Sequence, residues 1–413
     1  MKIFSTLEPV VRQKLLLLFG VGLLFWASLA TLLPTLPLYV RDIGGATYQV
    51  GIVMGAFAVG LLLFRPWLGQ LADRRGRRVV LLLGLAAVAI APLGYLATQS
   101  IPLLILVRAF HGLSIAAFTT AYSTLTVDLS PPANRGEVIG YMSLVNPIGV
   151  AVGPAIGGFL QAWAGYAPLF LLSAGLGFIG FVGALWLQAP ATIVPSTPAS
   201  DQPSFWRLLF TPRLRTPTLA LLLVGLAFGV LSTFVPLFIQ EANVPLNAGL
   251  FYTMAALASF SVRLLTGRAS DRYGRGRFIT LGLLLYALTM LLLWSAHSAS
   301  AFLLAGFLEG SGTGIFLPLM IALVADRAEA HERGRVFSLC VGGFDLGIAI
   351  AGPVLGYFAE YIGYRGIFGL ACGVSFLSVL VFVTQCNKTL AHSLRFALGE
   401  GRDLYALPYE TSR

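Results

Sequence analysis

The chain alternates long apolar runs with short polar segments. Runs bounded by charged residues, glycine or proline predict twelve helices, each with the ~20 apolar residues that crossing a bilayer requires. The first six lie near residues 15–40, 48–68, 79–98, 102–127, 138–163 and 166–188, and the second six near residues 217–240, 248–267, 278–297, 300–325, 336–360 and 364–384. The pattern predicts an all-α polytopic membrane protein.

A segment of different composition separates the two sets of helices. Residues 189–216 contain five prolines and three arginines among Ser and Thr residues, which is typical of a polar linker. We therefore expect an N-terminal six-helix bundle at residues 1–188, a cytoplasmic linker at 189–216, a C-terminal six-helix bundle at 217–384 and a cytoplasmic tail at 385–413.

The two halves are copies of one another. Asp73 and Asp271 are separated by 271 − 73 = 198 residues, and the same offset aligns other pairs along the two halves: Arg65 with Arg263, Gly112 with Gly310, Asp128 with Asp326, and Arg135 with Arg333. Such a register indicates two pseudo-symmetric six-helix repeats. Repeats of like orientation are typical of transporters in which two bundles rock about a site near the bilayer midplane.

The composition excludes a water-soluble globule. Hydrophobic residues make up 57% of the 413 residues and charged residues 11%, against about 45–50% and about 25% in soluble domains. The net charge of +10 is spread over short loops, so we expect a lipid bilayer and no nucleic acid as partner. Cys340, Cys372 and Cys386 lack metal-ligand spacing, so we interpret them as small hydrophobic residues and expect no metal site.

The positions of the basic residues predict the orientation. If the N-terminus is inside, the inner segments hold fifteen arginines besides those of the tails, whereas the outer loops hold only Arg41 and Arg365. Because cytoplasmic loops retain positive charge, we expect a multi-pass protein of the cell membrane with both termini in the cytoplasm.

Two matched loops carry a family motif. Residues 69–78 read GQLADRRGRR and residues 267–275 read GRASDRYGR, which resembles the G-x-x-x-D-R-x-G-R loop of the major facilitator superfamily. A glycine such as Gly69 permits close helix approach, Asp73 offers an anion to nearby arginines, and Gly76 allows a tight turn. The resemblance implies a gating latch made of Gly69, Asp73, Arg74, Gly76, Arg77, Gly267, Asp271, Arg272, Gly274 and Arg275. The alternative is that the arginines only fix the topology.

The fourth span contains an arginine in an apolar environment. Arg108 lies in LVRAFHGLSIAA, which resembles a second motif of the superfamily, and the resemblance implies a role in proton coupling or substrate handling. A lone arginine in hydrocarbon costs at least ~2.5–3.5 kcal/mol, so it should face the protein interior. His111 departs from the family pattern. It either titrates or only donates a hydrogen bond to a neighbouring helix.

The fifth span contains a glycine and proline string. Residues 149–158 read GVAVGPAIGG, which resembles the G-x-x-x-G-P-x-x-G-G motif associated with export antiporters in the superfamily. Glycines spaced by four let helix backbones touch, and an internal proline bends the helix. The resemblance implies a seal between the halves at Gly149, Gly153, Pro154, Gly157 and Gly158, whereas the simpler interpretation is helix packing alone.

Two acidic residues lie within apolar spans. Glu309 and Asp345 are each ~9–10 residues from the end of a span, or ~15 Å deep at 1.5 Å per residue. A carboxyl group at that depth is a candidate proton carrier, and the alternative is a permanent ion pair with an interior cation. Glu309 is the counterpart of His111 in the other repeat, so the two could face one cavity.

The resemblance covers essentially the whole chain, and the subgroup it resembles is that of twelve-helix drug:proton antiporters. It implies alternating-access efflux of a small organic molecule by a monomer, with the proton as coupling ion and no cofactor. One alternative is a proton-coupled importer of a sugar, organic acid or other metabolite. Another is a membrane sensor or membrane-embedded enzyme, but the chain shows no catalytic motif, so we expect no enzyme activity.

Overall fold

A computed structural model describes residues 7–131, 135–187, 211–329 and 332–407, without the side chains of residues 73, 267, 268, 271, 333 and 334. All regular elements in these ranges are helices. The chain divides into two compact units, Met1–Pro198 with Leu246–Thr253, and Ala199–Pro245 with Met254–Arg413. Most of the predicted linker, up to residue 210, lies outside the described residues.

The helices of the N-terminal half are α1 (Pro9–Thr31), α2 (Leu36–Asp42), α3 (Thr47–Arg75), α4 (Arg77–Ala97), α5 (Ile101–Leu129), α6 (Arg135–Met142), α7 (Val145–Ala164) and α8 (Tyr166–Leu185). Those of the C-terminal half are α9 (Pro212–Glu241), α10 (Ala248–Tyr273), α11 (Arg275–Ser295), α12 (Ala299–Asp326), α13 (Arg333–Gln385) and α14 (Leu390–Leu398).

The predicted twelve spans are confirmed. Eleven described segments are long and apolar enough to cross a bilayer. The last of them, Arg335–Gln385, contains two helices that meet at Gly363, where the backbone has φ of 69°. A positive φ is readily adopted by glycine and ends a regular helix. Counting α13 as two spans gives twelve within the described chain.

Two predicted spans are interrupted by short breaks. The first span consists of α1 and α2 with a break at residues 32–35, and the fifth consists of α6 and α7 with a break at residues 143–144. A proline ring clashes with the carbonyl four residues earlier and lacks an N–H donor. Pro37 and Pro147 place that clash at residues 33 and 143, which accounts for both breaks.

The boundaries of the C-terminal half also differ from those predicted. Helix α9 begins at Pro212 rather than near residue 217, because a proline in the first turn is tolerated where no N–H donor is needed. Within the predicted tail at 385–413, the described residues contain α14 and continue to residue 407.

The repeat is visible in the backbone packing of each half. Gly112 of α5 lies against the backbone of Phe57 in α3, and its counterpart Gly310 of α12 lies against Ala255 in α10. The two contacts are related by the 198-residue offset (310 − 112 and 255 − 57). In both, a Cβ atom would overlap the neighbouring backbone, so only glycine permits the approach.

Candidate functional site

A polar cluster is buried among α3, α4 and α5. The ring of His111 is fully buried, and its Nδ1 lies 2.9 Å from the hydroxyl oxygen of Tyr95 on α4. Arg108 is 7% exposed and holds its Cζ 4.3 Å from the ring centroid of Phe57 on α3. Arg108 also interacts with the Tyr95 hydroxyl. These aromatic and hydroxyl neighbours offset part of the cost of a cation within a membrane span.

This cluster has unused hydrogen-bonding capacity. Within the described residues, Nε2 of His111, Oγ of Ser114 and Nε of Arg108 have no hydrogen-bond partner. Buried polar atoms are normally paired, so exceptions point to a transient ligand, a water molecule or a proton. One imidazole nitrogen is held by Tyr95, and the other keeps its hydrogen-bonding capacity for a water molecule or a ligand.

A second buried cluster surrounds Glu309 on α12. Glu309 is 5% exposed. The hydroxyl of Thr313, one turn later, donates to the Glu309 carbonyl oxygen at 3.0 Å and also contacts its carboxyl group. Arg263 of α10 and Tyr286 of α11 are its other electrostatic neighbours. The carboxyl group therefore lies inside the C-terminal unit, with a cation near enough to stabilise its charged form.

The two clusters occupy equivalent places in the repeat. His111 and Glu309 are 198 residues apart (309 − 111), each on a helix that packs between two others of its own repeat. Each is accompanied by a buried tyrosine, Tyr95 on α4 or Tyr286 on α11. The prediction that His111 and Glu309 face one cavity stays a prediction.

Asp345 is buried on α13, at 7% exposure. The preceding residue, Phe344, presents its backbone to Gly225 of α9. Asp345 therefore lies where α13 and α9 approach closely.

The loop motif coincides with a pair of matched ion pairs. Arg77 at the start of α4 is paired with Asp128 at the end of α5, and Arg275 at the start of α11 is paired with Asp326 at the end of α12. These pairs are also related by 198 residues (275 − 77 and 326 − 128). Gly76 and Gly274 each have φ of 89°, which makes the tight turn before the arginine.

The other residues of the predicted latch show no latch contact among the described side chains. The side-chain surroundings of Asp73, Gly267 and Asp271 lie outside the described part of the structure. Arg74 and Arg272 are exposed. A Cβ atom at Gly69 would have no neighbour within 4 Å among the described residues, so the close helix approach expected there is not seen.

The glycine and proline string packs α7 onto α1. Gly149 contacts Trp26 and Ala27, and Gly153 contacts Ala30. Gly157 contacts the backbone of Thr31 at the end of α1. On another side of α7, the hydroxyl of Thr253 donates to the Ala151 carbonyl oxygen at 2.9 Å. Thr253 belongs to the Leu246–Thr253 stretch, which is part of the first unit.

Several residues of these clusters are not evident from the sequence. Tyr95 and Tyr286 lie in apolar runs, so only tertiary contacts reveal their partners. The offset of 198 residues already paired Asp128 with Asp326, and that match could have indicated their ion pairs. No group of three or more His, Cys, Asp or Glu residues able to hold a metal occurs in the described ranges.

Comparison with known proteins identifies the family of this fold. The model of the Major Facilitator Superfamily matches residues 18–281 and 245–397. The chain belongs to this superfamily. It is therefore a multi-pass membrane transporter rather than an enzyme.

Relatives within the superfamily match most of the chain. The staphylopine export protein of Staphylococcus aureus is 25% identical over 391 residues, which cover 91% of this chain and 96% of that protein. The multidrug resistance protein MdtG of a Rahnella strain is 25% identical over 383 residues, which cover 87% and 90%. The crystal structure of the nucleoside transporter NupG has a TM-score of 0.77 at 14% identity and covers 89% of this chain and 98% of that one. That likeness shows the superfamily fold alone.

Proposed function

We propose that this superfamily member exports a small organic molecule in exchange for protons, by alternating access. The buried carboxyl group of Glu309 within a membrane span is the observation that carries the proposal. Two relatives, one named an export protein and one a multidrug resistance protein, support export as the direction. The glycine and proline string at 149–158 supports the same direction.

Glu309 is the proposed proton carrier. The carboxyl group is buried within a membrane span, beside Thr313 and Arg263, so it is shielded from bulk water and has a neighbouring cation that balances its charge. The carboxyl group takes up a proton when it is open to the outside and releases it when it is open to the inside. The cargo binds while the carboxylate is deprotonated.

Arg108 and His111 are proposed to assist coupling from the other repeat. Their cluster contains polar atoms without partners among the described residues, which leaves hydrogen-bonding capacity for water or cargo. Asp345 is a second candidate carboxyl group.

The proposed location is the cell membrane, with both termini in the cytoplasm. The support is the concentration of arginines in the segments that would then be inside. The protein is proposed to act as a monomer, with the lipid bilayer as its surroundings and the proton as its coupling ion.

The test is dye accumulation in everted membrane vesicles, with ethidium and Hoechst 33342 as probes and an imposed pH gradient as the driving force. We expect the unmodified protein to accumulate dye, and an uncoupler to abolish this uptake. Glu309→Gln should lose the uptake. The control Glu137→Gln, which alters an exposed carboxyl group on α6, should retain it. Full gradient-driven uptake by Glu309→Gln would remove Glu309 from the mechanism. Accumulation only in right-side-out vesicles would indicate import.

A further inference from the structure

The stretch after the last span is fixed onto the end of the C-terminal unit. Arg327, at the end of α12, is fully buried, and its Nε and Nη2 donate to the two carboxylate oxygens of Asp403 at 2.7 and 3.0 Å. Its remaining donors reach the carbonyl oxygens of Arg213 at 2.9 Å and Cys386 at 2.6 Å. A bidentate pair of this kind fixes orientation as well as distance.

Asn387 joins both ends of the same stretch. Its Nδ2 donates to the Arg402 carbonyl oxygen at 2.9 Å, and its Oδ1 accepts from the Leu404 N–H at 3.2 Å. Farther along, the Leu407 N–H donates to the Asp326 carbonyl oxygen at 2.9 Å. Residues 387–407 are therefore an integral part of the unit.

Helix α14 lies within this stretch and is capped at both ends. The Thr389 hydroxyl accepts from the His392 N–H at 3.3 Å, and Gly399 ends the helix with φ of 88°. Phe396 is buried, with its ring centroid 6.4 Å from that of Phe382 on α13, and its carbonyl contacts Gly276 on α11. The helix is thus attached to the ends of two spans.

The surface of α14 divides into three sectors. Ser393, Phe396 and Ala397 face the protein and are buried. Leu390, Leu394 and Leu398 recur every fourth residue, so at 3.6 residues per turn they form one row. Their exposed fractions are 57%, 40% and 63%. His392 and Arg395 are exposed on the remaining sector.

We propose that α14 is an interfacial helix whose leucine row enters the boundary between the headgroups and acyl chains of the bilayer. Three exposed leucines in one row are unfavourable in water. Helix α14 is attached where α11 begins and α13 ends, which is where the spans leave the bilayer. An amphipathic helix at that level inserts its apolar row about 5–10 Å into the boundary.

The charges around the leucine row suit the same occupant. Lys388, Arg395 and Arg402 are exposed in or beside the helix, against the single exposed acid Glu400 between residues 388 and 402. Basic residues next to an apolar row are attracted to anionic headgroups. The inference does not depend on the direction or coupling of transport.

The test uses site-directed spin labels on the full chain, with one copy per nanodisc of mixed POPC and POPG. Single cysteines replace Leu390, Leu394 or Leu398, and His392→Cys is the matched control on the polar sector. The unmodified chain, whose three cysteines are buried, measures background labelling. We expect the ratio of oxygen accessibility to NiEDDA accessibility to be severalfold higher at the three leucine positions than at position 392, because oxygen concentrates in the bilayer and NiEDDA in water.

Two results would overturn the proposal. Equal ratios at the leucine positions and at position 392 would place the row in water. Low accessibility to both reagents at the leucine positions would mean that protein covers the row. Protection of Cys386 from maleimide in each variant checks that α14 is still docked.

Discussion

The hydroxyl oxygen of Tyr95 lies 2.9 Å from Nδ1 of His111, and the two side chains come from different helices. Both are fully buried. Whichever atom donates, the bond fixes the plane of the imidazole and leaves Nε2 without a hydrogen-bond partner among the described residues. Tyr95 therefore fixes the orientation of the His111 ring.

Removing this hydroxyl should destabilise the protein. In Tyr95→Phe, Nδ1 of a buried imidazole loses its partner, a loss worth about 1–3 kcal/mol. We expect a lower melting temperature in detergent, followed by tryptophan fluorescence. Tyr273→Phe is the control, because that ring is 52% exposed. If Tyr95→Phe and Tyr273→Phe have the same melting temperature, the Tyr95–His111 hydrogen bond contributes nothing to stability.

The matched ion pairs give a second prediction. Arg77 with Asp128 and Arg275 with Asp326 each tie the start of one helix to the end of the next, and the side chains are 16–31% exposed. At that exposure we expect a coupling of about 1 kcal/mol per pair. Asp128→Asn and Asp326→Asn should each lower the melting temperature.

A charge reversal distinguishes pairing from a general effect of charge. The double variant Arg77→Asp with Asp128→Arg should regain part of the stability that either single reversal loses. If the stability change of the double variant equals the sum of the changes in the two single variants, the ion pair is not formed in solution.

The bilayer explains why so much of the fold could be predicted. A segment that crosses the hydrocarbon core must be a long apolar helix, so the twelve spans are visible in the sequence as apolar runs. The repeat is visible as a constant offset between matching residues. The breaks that precede Pro37 and Pro147 were not predicted, because both prolines lie inside continuous apolar runs. The family motifs, in contrast, marked Gly76 and Gly274 at the turns that they occupy.

The contacts that build the clusters could not be predicted in the same way. Arg327 and Asp403 are 76 residues apart, and nothing in the local sequence distinguishes Asp403 from a solvated tail residue. Tyr95 and His111 similarly require the packing of α4 on α5. The spacing of residues along the chain predicts which side chains share one face of a helix. It does not predict which other helix that face packs against, because that is decided by the folding of the whole unit.

The string at 149–158 gives a third prediction, which concerns packing. A Cβ atom at Gly157 would overlap the backbone of Thr31, whereas one at Gly175 on α8 has no neighbour within 4 Å among the described residues. We expect Gly157→Ala to lose about 1–3 kcal/mol through overpacking and Gly175→Ala to change little. The yield of monodisperse protein and its melting temperature measure the difference. A Gly157→Ala protein as stable as Gly175→Ala would exclude close packing of α7 on α1.

The thiol of Cys386 reports whether the C-terminal stretch is docked. Burial raises the pKa of this thiol to about 11, so near neutral pH it is protonated and unreactive, and its reaction should accelerate only as the pH rises toward that value. Asp403→Asn leaves the buried Arg327 charge without its anion, which is strongly destabilising.

We therefore expect Asp403→Asn to increase maleimide labelling of Cys386 at neutral pH severalfold, because exposure returns the pKa of the thiol toward its ordinary value. Glu400→Gln, which alters an exposed acid of the same stretch, should label as slowly as the parent, and Cys386→Ser should abolish the signal. Equal labelling of the Asp403→Asn protein and the parent would show that the Arg327–Asp403 pair does not hold the stretch in place.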